Sequence, residues 1–209
     1  MRSQVDAVAA ASRRRRRLLG SADERSAQAS ARSGNDLDQF LTWAEDRPGR
    51  HEILNGEVFA ISPQRARHAR AKSRIFVALH AAVRAGGLPC EVFPDGMTVR
   101  IDPTTAFEPD ALVVCGSRMD ADAVEVNDPL IVVEVISPST KAIDTGVKFA
   151  GYFSLASVMH YLIVDPVKRL VIHHRRGAEV IESRIAADGV LRLDPLGLDV
   201  PVAEMFADA

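Results

Sequence analysis

The residues best suited to chemistry are two acids, one at the edge of an apolar segment and one inside another. Asp110 follows a proline at the entrance of an apolar run, in the segment FEPDALVV. Glu134 comes 24 residues later, inside LIVVEVI. A continuous β-branched run of this kind is typical of a strand that is buried on both faces. A carboxylate there costs several kcal/mol to desolvate unless it is paired, protonated or bound to a cation.

If the two strands are neighbours, Asp110 and Glu134 come together, and a divalent cation would relieve their mutual repulsion. Mg²⁺ suits such a pair because it takes one or two carboxylates and keeps several waters for a phosphate substrate. Mn²⁺ is a possible substitute. Each acid also has a simpler interpretation, since Asp110 could be a turn or cap residue and Glu134 could form a buried ion pair with an arginine or lysine. The two acids together favour the metal hypothesis.

Lys148 is the third candidate, in the segment DTGVKFAGY. It falls in a helix predicted over about residues 140–155, which could return a side chain over the end of the Glu134 strand. A lysine near a metal-bound water can orient that water and stabilise developing negative charge. The alternative is a surface helix pair with Asp144, four residues earlier in the favoured order.

The elements that must position these residues form a mixed α/β pattern. Asp36 is predicted to cap a short helix, Asn55-Gly56 predicts a tight β-hairpin, and a long helix is predicted over about 64–85. The exposed face of the long helix is predicted to carry Arg65, Arg67, Arg70, Lys72 and Arg74. Further strands are predicted near 89–93, 97–101, 111–115, 130–136, 161–164 and 170–173, and a last hairpin is predicted over 179–193. This order predicts a mixed central β-sheet flanked by helices, with an N-terminal helix and a β-hairpin.

The composition excludes several classes of protein. The 209 residues are 47% hydrophobic, which is enough for a core and excludes wholesale disorder. The apolar runs are too short to cross a bilayer, so a membrane protein is excluded. Cys90 and Cys115 are the only cysteines. They exclude a disulfide-stapled scaffold and a cysteine-rich zinc module, and we expect two buried small apolar groups in a reducing cytoplasm.

Charge is unevenly distributed along the chain. The first 35 residues hold eight arginines and three acids, whereas the other 174 hold 18 basic and 25 acidic residues. We expect residues 1–34 to be a disordered Arg-rich tail, in which the Arg13–Arg17 run lacks the apolar stretch of an export signal. The tail is either a solvated arm or a source of non-specific phosphate contacts. The acidic domain over 35–209 would not bind nucleic acid by a basic face alone, but metal ions on its carboxylates would let it act on a polyanion.

Several segments, taken in order, resemble one family. RHEILNGEVFAISP, FEPDALVV, PLIVVEVISPST and DTGVKFAGY occur in that sequence, with His68 after the first. Over about residues 36–206 the chain resembles the Uma-two family of putative restriction endonucleases, within the PD-(D/E)XK nuclease superfamily. The EVISPST block with its downstream Asp, Lys and Tyr is the most specific part of the resemblance.

The resemblance implies a restriction-endonuclease-like α/β core and a set of roles. Asp110 and Glu134 match the acids that bind Mg²⁺, and Glu52 matches an acidic position that helps to bind the metal. The superfamily's lysine usually lies two residues after the glutamate, where this chain has Ile136. In this family the lysine is supplied from the next helix, which matches Lys148.

Two accessory candidates complete the set. His68 could touch a phosphate or position Glu52, and Asp144 lies one helical turn before Lys148. Taken alone, Glu52 is equally well an exposed strand residue paired with a base. His68 is equally well an exposed helix residue.

These observations predict a cytoplasmic, Mg²⁺-dependent DNA endonuclease that hydrolyses phosphodiester bonds. A homodimer is expected, since most nucleases that cut both strands are two-fold symmetric. No organic cofactor is expected, because no glycine loop suited to cradling phosphates is seen. One alternative is a DNA-binding or regulatory protein on a nuclease fold that no longer cuts. A weaker alternative is a metal-dependent hydrolase of a smaller phosphoester.

Overall fold

The computed structural model describes residues 36–61, 63–136 and 146–206. The tail over 1–34 and Asp144 therefore lie outside the described residues. The helices are α1 (Leu37–Glu45), α2 (Ala66–Ala85), α3 (Val147–Ser154) and a short 3₁₀ helix (Val202–Phe206). The strands are β1 (His51–Leu54), β2 (Glu57–Ala60), β3 (Cys90–Pro94), β4 (Thr98–Asp102), β5 (Thr105–Phe107), β6 (Ala111–Cys115), β7 (Glu125–Val126), β8 (Ile131–Val135), β9 (His160–Asp165), β10 (Leu170–Arg176), β11 (Ile181–Ala186), β12 (Val190–Leu193) and β13 (Leu198–Pro201).

The N-terminal helix and hairpin form as the sequence predicts. The Asp36 carboxylate accepts a hydrogen bond from the Gln39 backbone N–H at 2.9 Å, which caps α1. Asn55 and Gly56 have φ values of 52° and 79°, the left-handed backbone that a two-residue hairpin turn requires. The hairpin belongs to a five-stranded sheet in the order β2-β1-β5-β4-β7.

The second sheet has six strands in the order β11-β10-β9-β8-β6-β3. Its β8–β9 pair is parallel, and the other pairs are antiparallel. All five residues of β8 are buried, as expected for a strand covered on both faces. Ile75 and Leu79 of α2 share one apolar cluster with Val133. Tyr152 of α3 shares another cluster with Val132 on the opposite face.

Helix α3 approaches β5 very closely because residue 151 is glycine. A Cβ atom at Gly151 would lie 2.6 Å from a ring carbon of Phe107, a distance that side chains do not tolerate. The absence of a side chain therefore lets α3 rest directly on Phe107. Lys148 and Tyr152 of the same helix also lie against the Phe107 ring, with the Lys148 Nζ atom 5.5 Å from the ring centroid and the Tyr152 ring centroid 5.4 Å from it.

Three expectations are wrong. Strand β11 pairs with β10, and β12 pairs with β13, so the last predicted hairpin does not form. Strand β11 pairs with the edge of β10, a partner that the local sequence does not indicate. After the Asp188-Gly189 turn, β12 pairs with β13 in a separate two-stranded sheet. Strands β5, β7 and β13 were not predicted. Cys90 and Cys115 face each other across β3 and β6 as a disulfide, and are not free apolar groups.

Among the residues that the structure describes, no helix is long and apolar enough to cross a membrane.

Candidate active site

Glu134 and Lys148 meet in the interior of the protein. Their exposed fractions are 4% and 5%. The Lys148 Nζ atom donates to Glu134 Oε1 at 2.9 Å and to Glu52 Oε1 at 2.8 Å. Strands β8 and β1 and helix α3 thus bring three of the predicted residues to one point. Because Lys148 is buried, the interpretation of it as part of an exposed surface pair is wrong.

Tyr152 is a further partner of Glu134. It lies one helical turn after Lys148 and is fully buried. Its hydroxyl donates to the same Glu134 Oε1 atom at 2.8 Å. Burial and the charge of Glu134 raise the pKa of the Tyr152 hydroxyl well above its ordinary value, so it remains a hydrogen-bond donor. The local sequence gives no signal for this bond.

Glu52 is partly buried and is held from two sides. In addition to Lys148, its Oε1 atom accepts a hydrogen bond from the Glu108 backbone N–H at 2.9 Å. This bond joins the hairpin to the segment that leads into Asp110. Glu52 is therefore not the exposed strand residue of the simpler interpretation.

Asp110 is positioned against the backbone on either side of Glu134. Its own N–H donates to the Val133 carbonyl at 2.9 Å, and its Oδ2 atom accepts from the Val135 N–H at 2.6 Å. Strands β6 and β8 are thus neighbours, as predicted. The Asp110 side chain itself forms an ion pair with Lys72 of α2.

Lys72 was predicted on an exposed helix face, and this is wrong, since it is 7% exposed. Its Nζ atom also donates to Asp95 Oδ2 at 2.9 Å. Arg50 donates to Asp95 at 2.6 Å and to Glu108 at 2.7 Å. Burial alone would raise the pKa of Asp95, but the hydrogen bond and charge of Lys72 and the charge of Arg50 lower it.

Two chains of alternating charge meet at a backbone hydrogen bond. One runs from Asp110 through Lys72, Asp95 and Arg50 to Glu108, and the other runs from Glu52 through Lys148 to Glu134. The Glu108 backbone N–H, which donates to Glu52, joins them into one network. Sequence reasoning missed its middle part. A usable signal was the period-two spacing of Arg50 with Glu52 and of Glu108 with Asp110, which places each pair on one side of an extended segment.

His68 lies beside Asp110 and away from Glu52. Its Nε2 atom contacts the Val135 carbonyl, and Asp110 Oδ2 is 4.0 Å away. Since a carbonyl only accepts, Nε2 carries the proton. The Nδ1 atom is buried and has no hydrogen-bond partner among the described residues. His68 is therefore not an exposed helix residue, and it borders the end of β8.

The donor chemistry of the cluster fits a hard divalent cation. Glu52, Asp110 and Glu134 offer carboxylate oxygens, the ligands that Mg²⁺ prefers. Two of them already converge on one cationic group, the Lys148 ammonium, while Lys72 holds Asp110 separately. Within residues 36–61, 63–136 and 146–206, no three His, Cys, Asp or Glu side chains are arranged around a single metal position. A metal would therefore share or displace the ammonium contacts.

The mixed α/β fold is that of a nuclease-like protein, and the comparisons with known proteins agree. The model of the Uma2 family, described as "Putative restriction endonuclease", matches residues 37–203. The chain therefore belongs to the Uma2 (Uma-two) family, as the sequence resemblance predicted.

Relatives and one solved structure are consistent with this assignment. The uncharacterised Synechocystis protein slr1290 is 28% identical over 173 residues, which cover 81% of this chain and 90% of that protein. A second Synechocystis protein, sll1609, is 25% identical over 141 residues, which cover 66% and 78%. The crystal structure of a putative DUF820 nuclease from Anabaena variabilis aligns with a TM-score of 0.65 at 15% identity, over 83% of this chain and 98% of that one. This match shows the restriction-endonuclease-like fold.

Proposed function

We propose that the protein is a metal-dependent endonuclease of the PD-(D/E)XK type that hydrolyses phosphodiester bonds in DNA. The observation that carries the proposal is the convergence of Glu52 and Glu134 on the Lys148 ammonium, in a chain of this family. Asp110 and Glu134 would hold Mg²⁺, or Mn²⁺ in its place, with help from Glu52. No organic cofactor is proposed.

The chemistry divides between the ion and the chain. A bound divalent ion lowers the pKa of water and offsets charge at the phosphorus. Lys148 brings a buried positive charge that can donate to a phosphate oxygen and stabilise the negative charge that develops there. Tyr152 fixes the orientation of Glu134, and Lys72 with the Val135 N–H fixes that of Asp110. The acids are therefore held in place before any substrate arrives.

We propose that α2 contributes to DNA binding. Arg65, Arg67 and Arg70 are exposed at its N-terminal half, where Lys72 and His68 of the same helix reach the cluster. Arginines on this face can contact phosphates and set the position of the duplex without reading its sequence. Weakened DNA binding by a variant of these arginines, with a smaller dependence on salt, would support this assignment.

We further propose that the protein acts as a homodimer in the cytoplasm. Two copies are expected because the two strands of a duplex run in opposite directions and a two-fold pair of sites matches them. The Cys90–Cys115 pair provides the test of this location, since disulfides are rare in the reducing cytosol. Alkylation of thiols at the moment of cell lysis would show whether the pair is oxidised in the cell.

A second candidate function is DNA binding without cleavage. It is favoured by Ile136, which stands where the superfamily usually has a lysine, and by the ammonium groups that already neutralise Glu134 and Asp110. On this hypothesis the cluster is a structural ion-pair network, and DNA affinity does not depend on its acids.

The two functions separate in a plasmid nicking assay with Mg²⁺ or Mn²⁺. We expect nicking by the purified protein and a loss of at least about 100-fold in Glu134→Gln and in Asp110→Asn, because each removes a charge needed in the transition state. Asp199→Asn, an exposed change on β13, is the matched control and should nick normally. Unchanged nicking in Glu134→Gln would overturn the nuclease proposal. DNA binding without nicking at any metal concentration would establish the second candidate.

A further inference from the structure

The outer edge of β11 is an unusual surface. All six residues of β11 pair with β10 on one side, and no other strand among the described residues pairs with its other side. The four residues 182–185 are exposed. Ile185 is 70% exposed, and Val180, just before the strand, is 66% exposed. An open edge with apolar side chains is a template for pairing with another strand.

The side chains of this edge form a pattern centred on Ser183, with opposite charges at equal distances on its two sides. Glu182 and Arg184 flank Ser183, and Ile181 and Ile185 flank the charged pair. When two identical strands pair antiparallel about a two-fold axis, opposite residues must point to the same face of the sheet. The register must therefore be centred on a residue and cannot lie between two residues.

Among registers centred on residues 182–184, the middle of the exposed edge, the charges select one. With Ser183 at the centre, Glu182 of one copy lies opposite Arg184 of the other, and Ile181 lies opposite Ile185. Centring on Glu182 or on Arg184 places two like charges directly opposite each other, which is destabilising. If the register were shifted by one residue, each residue would lie opposite one whose side chain points to the other face of the sheet.

We infer that two copies of the chain associate by antiparallel pairing of their β11 edges, centred on Ser183. The two six-stranded sheets then become one continuous sheet across the two-fold axis. The inference rests on the homodimer proposed above and is independent of the nuclease chemistry, since Glu134 lies three strands away on β8. The Ser183 hydroxyl is already bonded to His174 within the same copy, so the centre of the interface requires no new polar partner.

The test is a charge-swap experiment followed by sedimentation. For the full-length wild-type chain, we expect a mass that rises from one to two copies with concentration. Arg184→Glu and Glu182→Arg should each raise the dissociation constant at least about tenfold, because each puts like charges opposite one another twice. An equimolar mixture of the two variants should recover the dimer, since the acidic pair of one variant meets the basic pair of the other. Lys168→Glu, an exposed change of the same charge in the β9–β10 turn, should behave as wild type.

Several results would overturn the inference. The first is a wild-type chain that stays monomeric at every concentration, and the second is a dimer whose dissociation constant neither variant changes. The third is an equimolar mixture that stays monomeric although both variants keep the wild-type unfolding temperature. A wild-type monomer whose β11 amides are protected from hydrogen exchange only while residues 1–35 are present would assign the edge to the chain's own tail. Glu134→Gln should still dimerise. A wild-type chain that dimerises but does not nick at any metal concentration would count against the nuclease proposal alone.

Discussion

Two buried polar clusters lie in the same six-stranded sheet and differ in how their charge is handled. Around Glu134, each buried acid contacts an ammonium group. On β9 and β10, His160 Nδ1 lies 2.8 Å from His173 Nε2, and both residues are 1% exposed. Burial, together with the neighbouring His160, lowers the pKa of His173 to about 3, and burial also lowers that of His160.

The two clusters are similarly buried, and they differ in the charge of the groups to which their side chains are hydrogen-bonded. Glu134 has the Lys148 ammonium at 2.9 Å, whereas among the described residues the side chains of the two histidines are hydrogen-bonded only to each other and to the Asp194 carbonyl. The function proposed above is therefore placed at the first cluster, and the second is interpreted as packing. Three measurements test that division.

Lys148→Met should have the largest effect. It leaves Glu52 and Glu134 facing each other without the ammonium, so the free energy of unfolding should fall by about 3–5 kcal/mol. Denaturant unfolding measures this loss. Lys148→Met/Glu134→Gln should recover part of it, because no unpaired carboxylate then remains on β8. Mg²⁺ should raise the unfolding midpoint of Lys148→Met more than that of wild type, and no difference between them would count against a metal position between these acids.

Tyr152→Phe should come next. It removes a hydrogen bond to a buried carboxylate and keeps the ring, so we expect a loss of about 1.5–3 kcal/mol of stability. Nicking should also weaken, because Glu134 loses the group that orients it. The control is Asp199→Asn, the exposed change on β13, which should keep both stability and nicking. Full nicking by Tyr152→Phe would mean that the hydroxyl only fills space.

The smallest expected effect is the contribution of His173 to the pH dependence of the free energy of unfolding. Because the folded pKa of His173 lies below its unfolded value, the unfolded chain binds more protons between about pH 6.5 and 3. Stability from this group is complete above that window and falls as the pH drops through it, by up to about 1.4 kcal/mol per pH unit. His173→Asn should show a shallower decline in denaturant unfolding at pH 6.5, 5.5 and 4.5. Equal slopes would show that His173 does not titrate in this way.

The sequence predicts features that depend on nearby residues. The Asp36 cap, the Asn55-Gly56 turn and the buried β8 strand all follow from local patterns and are found as expected. The juxtaposition of Glu134 with Lys148 follows from the short connection between β8 and α3 together with the family resemblance.

The features that were missed depend on contacts between distant parts of the chain. Lys72 lies on a helix that looks uniformly basic, and only the packing of α2 against Asp110 shows that it is buried. The Tyr152 bond needs the same kind of knowledge. The β10–β11 pairing and the Cys90–Cys115 disulfide each require a strand partner that no local pattern identifies.

Gly151, which rests on Phe107, lies between Lys148 and Tyr152 on α3. Because a methyl group there would lie 2.6 Å from the Phe107 ring, we expect α3 or the ring to shift, and a shift of α3 would move the lysine ammonium and the tyrosine hydroxyl relative to the glutamate. The geometry of the candidate site thus depends on a residue that has no side chain to contribute to it. A substitution at position 151 would therefore change the distances within the cluster while every acidic and basic residue is retained.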